Sequence, residues 1–145
     1  MVGGCHFRPQ KKALLVTCFD PRYQPGITAH FEEKYRLTTM SVAGGPIRLV
    51  EEKRNNRWYL YLDIKEVAIE ELGVEVIILA GHKDCKYIQK YNKIDSKEAD
   101  QASINLVREA GQIINNLKKE MSIVIEIITY MCRFDEDILV PELIT

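Results

Sequence analysis

The sequence predicts an α/β fold in three layers: a mainly parallel four-stranded sheet, in the order 2-1-3-4, with helices on both faces. Three observations predict it. Short runs such as Ala13–Phe19, and Val76-Ile77-Ile78-Leu79 in the middle of Val74–Ala80, are apolar without alternation, the pattern of strands buried on both faces. Stretches with helical spacing of apolar residues lie between these runs, so strands and helices alternate along the chain. Glycine and proline clusters mark the changes from one element to the next.

With 145 residues the chain is read as a single domain, residues 1–145, long enough to close one core. Residues 1–12 read as a loose leader ending in Lys11-Lys12; they hold no hydrophobic segment that would make a secretory signal. Twenty basic residues stand against 21 acidic ones, a balance that leaves no electrostatic footprint for nucleic acid or an anionic membrane. No apolar run approaches the roughly 20 residues of a membrane-spanning helix. A cytoplasmic location is therefore expected. In that compartment Cys5, Cys18, Cys85 and Cys132 are read as packed, catalytic or metal-bound rather than as disulfides.

In order, the first strand runs over Ala13–Phe19 and is broken by Pro21 and Pro25-Gly26. A helix is expected over 28–35, then a second strand over Leu37–Val42, ending in Ala43-Gly44-Gly45-Pro46. Arg48–Arg54 reads as a helical turn or two. In Tyr61–Leu72, Ile64, Val67, Ala68 and Leu72 share one helical face, and Gly73 is placed as the stop. Val74–Ala80 is the third strand, followed by the loop Gly81–Cys85 and a polar segment of undecided structure, Lys86–Lys93. The longest helix covers Lys97–Lys119, where Asp95 and Glu98 resemble a capping box and Ile104, Val107, Ala110, Ile114 and Leu117 keep helical spacing. Ser122–Met131 is a fourth strand, and the tail reads as short and mixed.

In such a sheet, function collects at the carboxyl ends of strands where the strand order reverses. The stretch Cys18-Phe19-Asp20-Pro21-Arg22 ends the first strand and Gly81-His82-Lys83-Asp84-Cys85 follows the third. If those strands are neighbours, the two stretches face each other across a crevice. Two thiolates and an imidazole suit zinc, at about 2.3 Å for sulfur and 2.0–2.1 Å for nitrogen. On spacing alone two readings stand: a metal site built from Cys18, His82 and Cys85, or a small buried hydrophobe at Cys18 with an unrelated loop histidine. Asp20, two residues beyond Cys18, projects to the same side in extended backbone. It is a candidate fourth ligand or water-orienting group, and Arg22 is placed to hold it ionised. Alone, Asp20-Pro21-Arg22 is better read as a turn with a surface ion pair.

Cys-x-Asp-x-Arg after a first buried strand, followed by Gly-His-x-x-Cys after a third, resembles the β-class carbonic anhydrases. The loop Ala43-Gly44-Gly45 is similar to that family's Ala-Gly-Asn loop, and Tyr61–Gly73 to its helix before the second motif. The resemblance implies zinc (Zn2+) held by Cys18, His82 and Cys85, with Asp20 and Arg22 as the catalytic dyad and Ala43, Gly44 and Gly45 beside the substrate. It also implies a closed state in which Asp20 becomes the fourth ligand. The implied reaction is the reversible hydration of carbon dioxide to bicarbonate by hydroxide generated on the metal, in a homodimer or higher homo-oligomer. The sequence departs from the family at Pro21, Ser41, Val42, Gly45 and Lys86, all in the pocket rather than among the ligands. Alternative readings are hydrolysis of a related linear molecule such as carbonyl sulfide, a non-catalytic zinc module, and a redox-responsive Cys18–Cys85 pair.

The remaining candidates read as ordinary. Cys5-His6 belongs to the leader, Cys132 is packed at a strand end, and His30 is a boundary residue of an amphipathic helix. Trp58, Tyr59 and Tyr61 serve packing, while Glu51-Glu52 and Lys118-Lys119 are solvated helix faces.

Overall fold

A computed structural model describes residues 10–144, so Cys5-His6 and most of the expected leader lie outside the described residues. Strand β1 (Lys12–Cys18) is buried from Ala13 onward, which is why its sequence is continuously apolar. It pairs in parallel with β2 (Arg36–Val42) on one side and β3 (Val76–His82) on the other. Strand β4 (Glu126–Asp135) extends the parallel sheet beyond β3.

The expected order 2-1-3-4 is present, but the sheet has five strands, not four. Past a tight turn with Glu136 at φ +56°, the tail returns as β5 (Ile138–Leu143), antiparallel to β4. It is an edge strand, and it carries Pro141, a residue edge strands tolerate because it has no N–H to give to the ladder. One described terminal residue, Ile144, then ties back through its backbone N–H to the carbonyl of Thr129 at 2.9 Å.

One helix covers one face of the sheet. Helix α1 (Gln24–Glu32) packs Ile27 and Phe31 against Ala13, Leu15, Val76 and Ile78. It starts four residues earlier than the spacing predicts, because Pro25 sits in its first turn, where a missing N–H costs nothing. The other face carries α2 (Ile47–Arg54), α3 (Tyr59–Leu62), α4 (Lys86–Asn92) and α5 (Ser96–Met121). The undecided segment after Cys85 is thus helical. Asp95 caps α5 by accepting the backbone N–H of Glu98 at 2.8 Å, as the capping pattern predicts. Along α5, Ala99, Ser103, Val107, Ala110, Ile114 and Leu117 form the stripe against the sheet.

Helix α3 continues into a π-helical stretch, Asp63–Ile69. Its wider turn alters the predicted apolar face: Ile64 and Ala68 are buried, but Val67 and Leu72 are 49% and 43% exposed. Gly73, at φ +66°, ends the segment as expected. Glu52 is another departure. It is buried rather than solvated, accepts the Leu60 backbone N–H at 2.9 Å and pairs with Arg48 at 3.5 Å. It therefore satisfies a donor at the start of α3 that would otherwise be left unpaired. Among the described residues no helix is long and apolar enough to cross a membrane.

Candidate metal centre

Strand β1 lies where the strand order reverses, with β2 on one side and β3 on the other. Cys18 is the last residue of β1, His82 the last of β3, and Cys85 the residue that caps α4. All three are buried, and their ligand atoms lie within 4.8 Å of one another. Lys83 continues from β3 through a backbone bond to the carbonyl of Cys132, and Asp84 takes φ +54°, which turns the chain sharply enough to bring Cys85 back beside His82.

The loop after β2 closes the site from the other side. Gly45, at φ +56°, lies so near β1 that a Cβ there would stand 2.5 Å from the backbone nitrogen of Cys18. Gly44, at φ +80°, leaves room for the ring of Tyr87, which a Cβ would meet at 2.5 Å. Both glycines thus serve close backbone and ring approach. Ala43 lines the cleft together with Cys18 and Asp20.

The donor set fits a thiophilic metal ion such as zinc. The Nδ1–H of His82 donates to the carbonyl of Lys83 at 2.8 Å, because a carbonyl can only accept. That tautomer leaves Nε2 with a bare lone pair, and Nε2 is buried without a hydrogen-bond partner. A buried polar atom in that condition is costly unless something meets it. The two thiols share their protons unequally. Cys18 is drawn well below the ordinary thiol range, first by a hydrogen bond from Cys85, with the Asp20 backbone amide adding to it against the cost of burial. The Cys18 thiolate and burial push Cys85 upward in turn. A metal takes cysteine as the thiolate, the form this pairing favours at Cys18.

Asp20 stands beside the group with its carboxylate engaged by Arg22. Arg22 Nη2 reaches Oδ2 at 2.7 Å, Nε reaches Oδ1 at 3.1 Å, and the Arg22 backbone N–H donates to Oδ1 at 2.9 Å. These bonds hold the Asp20 carboxyl below its usual range. The same guanidinium donates to the Asp84 side chain and carbonyl, each at 2.9 Å. One arginine therefore ties the loop after β1 to the loop after β3.

No sequence-family model matches the chain, and no curated protein matches it by sequence. Solved structures do match by fold. The β-carbonic anhydrase CafA of the fungal pathogen Aspergillus fumigatus superposes with a TM-score of 0.57 at 10% identity, over 92% of this chain and 76% of that one. A carbonic anhydrase from Glaciozyma antarctica superposes with a TM-score of 0.52 at 19% identity, over 96% of this chain and 86% of that one. The fold is that of the β-carbonic anhydrases.

Within this β-carbonic anhydrase fold the structure adds residues that the spacing of the motifs does not reveal. Asp84 organises the second loop: its carboxylate accepts from Arg22, Lys86 and Gln89, and its backbone N–H donates to the Asp100 carboxylate on α5. An acid inside His82–Cys85, next to Lys86, is the signal that would have found it. Tyr23 stacks on His82 with ring centroids 4.4 Å apart. Lys86, at the mouth of the cleft, is drawn to Asp84 at 3.2 Å.

Proposed function

We propose that this chain is a zinc-dependent enzyme that reversibly hydrates carbon dioxide to bicarbonate. The observation that carries the reading is the convergence of Cys18, His82 and Cys85, with the orphaned Nε2 of His82 among them, at the crevice of a β-carbonic anhydrase fold. Cys18, Cys85 and His82 Nε2 hold the ion. A zinc ion held there would supply hydroxide near neutral pH, because binding lowers the pKa of water from 15.7 to about 7.

The chain's own residues do the rest. Asp20, kept ionised by Arg22, offers a carboxylate oxygen next to Cys18 as a hydrogen-bond acceptor. It accepts the proton side of the attacking oxygen and leaves the lone pair aimed at carbon. Arg22 cannot swing away freely, because Asp84 holds its other edge. Ala43 closes the cleft beside Cys18, where the small linear substrate waits. The same reading places the protein in the cytoplasm as a homodimer or higher homo-oligomer; Tyr59, Leu62 and Val67, exposed along one segment, are apolar surface for a second copy.

The test is metal analysis of the purified protein beside stopped-flow carbon dioxide hydration across pH. The expected result is one zinc per chain and a rate that rises through neutral pH. Stoichiometric zinc with no rate above buffer at any pH overturns the enzymatic reading and leaves a zinc module.

A further inference from the structure

Beside the metal group lies a cleft of about 830 Å³. Sites for small organic molecules occupy roughly 300–1,000 Å³, and a linear triatomic fills a small part of such a space. The walls combine two chemistries. Tyr87 and Tyr91 stand one turn apart on α4, ring centroids 4.5 Å apart, and Phe19 lines the same cleft while 61% exposed. Aromatic faces open to a cleft are stacking surface for a flat ligand.

The second chemistry is positive charge. Arg22, Arg48, Arg57, Lys86 and Lys90 line the cleft against only Asp20 and Glu51 among acidic residues. Three of these cations are already engaged: Arg22 with Asp20 and Asp84, Arg48 with Glu51 and Glu52, Lys86 with Asp84. Arg57, in the connection between α2 and α3, and Lys90, on α4, line the same cleft, and among the described residues neither side chain makes an ion pair or hydrogen bond. Cations grouped without counter-charge on a concave wall raise the local concentration of anions.

We propose that this cleft binds a small organic anion with a flat aromatic part. The ring lies against Tyr87 and Tyr91, and a phosphate or carboxylate group is held by Arg57 and Lys90. The ligand shares the approach to Cys18 with the substrate of the proposed reaction but needs no metal, so its binding is measured without reference to turnover.

Trp58 follows Arg57 directly and is the chain's only tryptophan, so its fluorescence reports binding without any turnover. The full chain is titrated at fixed protein concentration with phenyl phosphate and benzoate, which separate phosphate from carboxylate recognition. Inorganic phosphate and phenol supply the anion and the ring alone. The expected result is saturable binding of one aromatic anion, with each half-molecule weaker by about tenfold. Arg57→Gln combined with Lys90→Gln weakens it about tenfold or more, the loss expected for charge-assisted bonds, and Tyr91→Ala weakens it several-fold. Absence of saturable binding overturns the proposal. So does an affinity unchanged in the double variant, which would place the anion on the metal group. A sedimentation profile in which Tyr91→Ala breaks a dimer also overturns it, making the cleft an interface between copies.

Discussion

The imidazole of His82 lies nearly flat against the ring of Tyr23, centroids 4.4 Å apart and planes 23° apart. Tyr23 is itself buried and leans on Phe134 of β4, so the stack is braced from behind. With Nδ1 fixed on the Lys83 carbonyl, the stack leaves the imidazole one orientation. Tyr23→Leu should lower zinc affinity by about tenfold, in the range seen when groups that orient a ligand are lost. Tyr23→Phe should leave it unchanged. Competition with a chromophoric chelator measures both.

Gly45 and Gly73 separate two costs. Both take positive φ, +56° and +66°, but only Gly45 has backbone atoms in the way of a Cβ. Gly73→Ala should therefore cost only the left-handed strain, about 1–2 kcal/mol. Gly45→Ala adds a clash with the end of β1 and should cost about 2–5 kcal/mol in total. Urea denaturation curves give both values. Equal losses would show that the loop after β2 yields readily.

Glu52 is the acid whose removal should be felt most outside the site. Glu52→Ala leaves the Leu60 N–H without its acceptor and strips Arg48 of one partner. The expected loss is about 1–3 kcal/mol by chemical denaturation. Glu52→Gln keeps an acceptor and should recover at least half of it.

Cys132 is fully buried and sits in register with His82, yet it is not part of the metal group. Burial pushes its thiol up to about 12, so it stays protonated. Zinc per chain should be unchanged in Cys132→Ala and reduced to a small fraction in Cys18→Ser or Cys85→Ser. Metal content by atomic emission decides this, and loss of zinc in Cys132→Ala would contradict the assignment.

His30 carries a pH dependence. Partial burial, then the charge of Lys34, lowers its pKa in the folded chain, although Glu33 opposes this. The unfolded chain therefore takes up the proton first, near pH 6.5. The stability this residue contributes is full above that value and is lost as pH falls through the lowered folded value. His30→Gln should flatten the fall in denaturation midpoint just below pH 6.5.

Strands β1 and β3 are legible because both faces are buried, so Ala13–Val16 and Val76–Ala80 run apolar without alternation. The three ligand candidates follow from chemistry at the ends of those strands, and α5 from a cap and a long stripe. What escapes has a physical reason in each case. Strand β5 is half-exposed and contains Pro141, so it lacks the buried-strand signature. Val67 turns outward because a π turn does not follow helical spacing. Glu52 looks like any surface acid until the chain brings Leu60 opposite it. Asp84 and Tyr23 act through partners on other elements, which no local pattern encodes.

Cys18 and His82 are 64 positions apart (82 − 18) and meet only because β1 and β3 pair. In the unfolded chain only the His82–Cys85 pair is local, a two-donor chelate that holds an ion weakly. A metal held by all three would therefore bind the native state far better than the denatured one, and free zinc would shift the folding equilibrium by mass action. Parallel pairing across such a separation is slow, so an ion bound there would arrive after the central sheet rather than nucleate it. Zinc added to refolding chains should accordingly leave the folding rate unchanged while slowing unfolding.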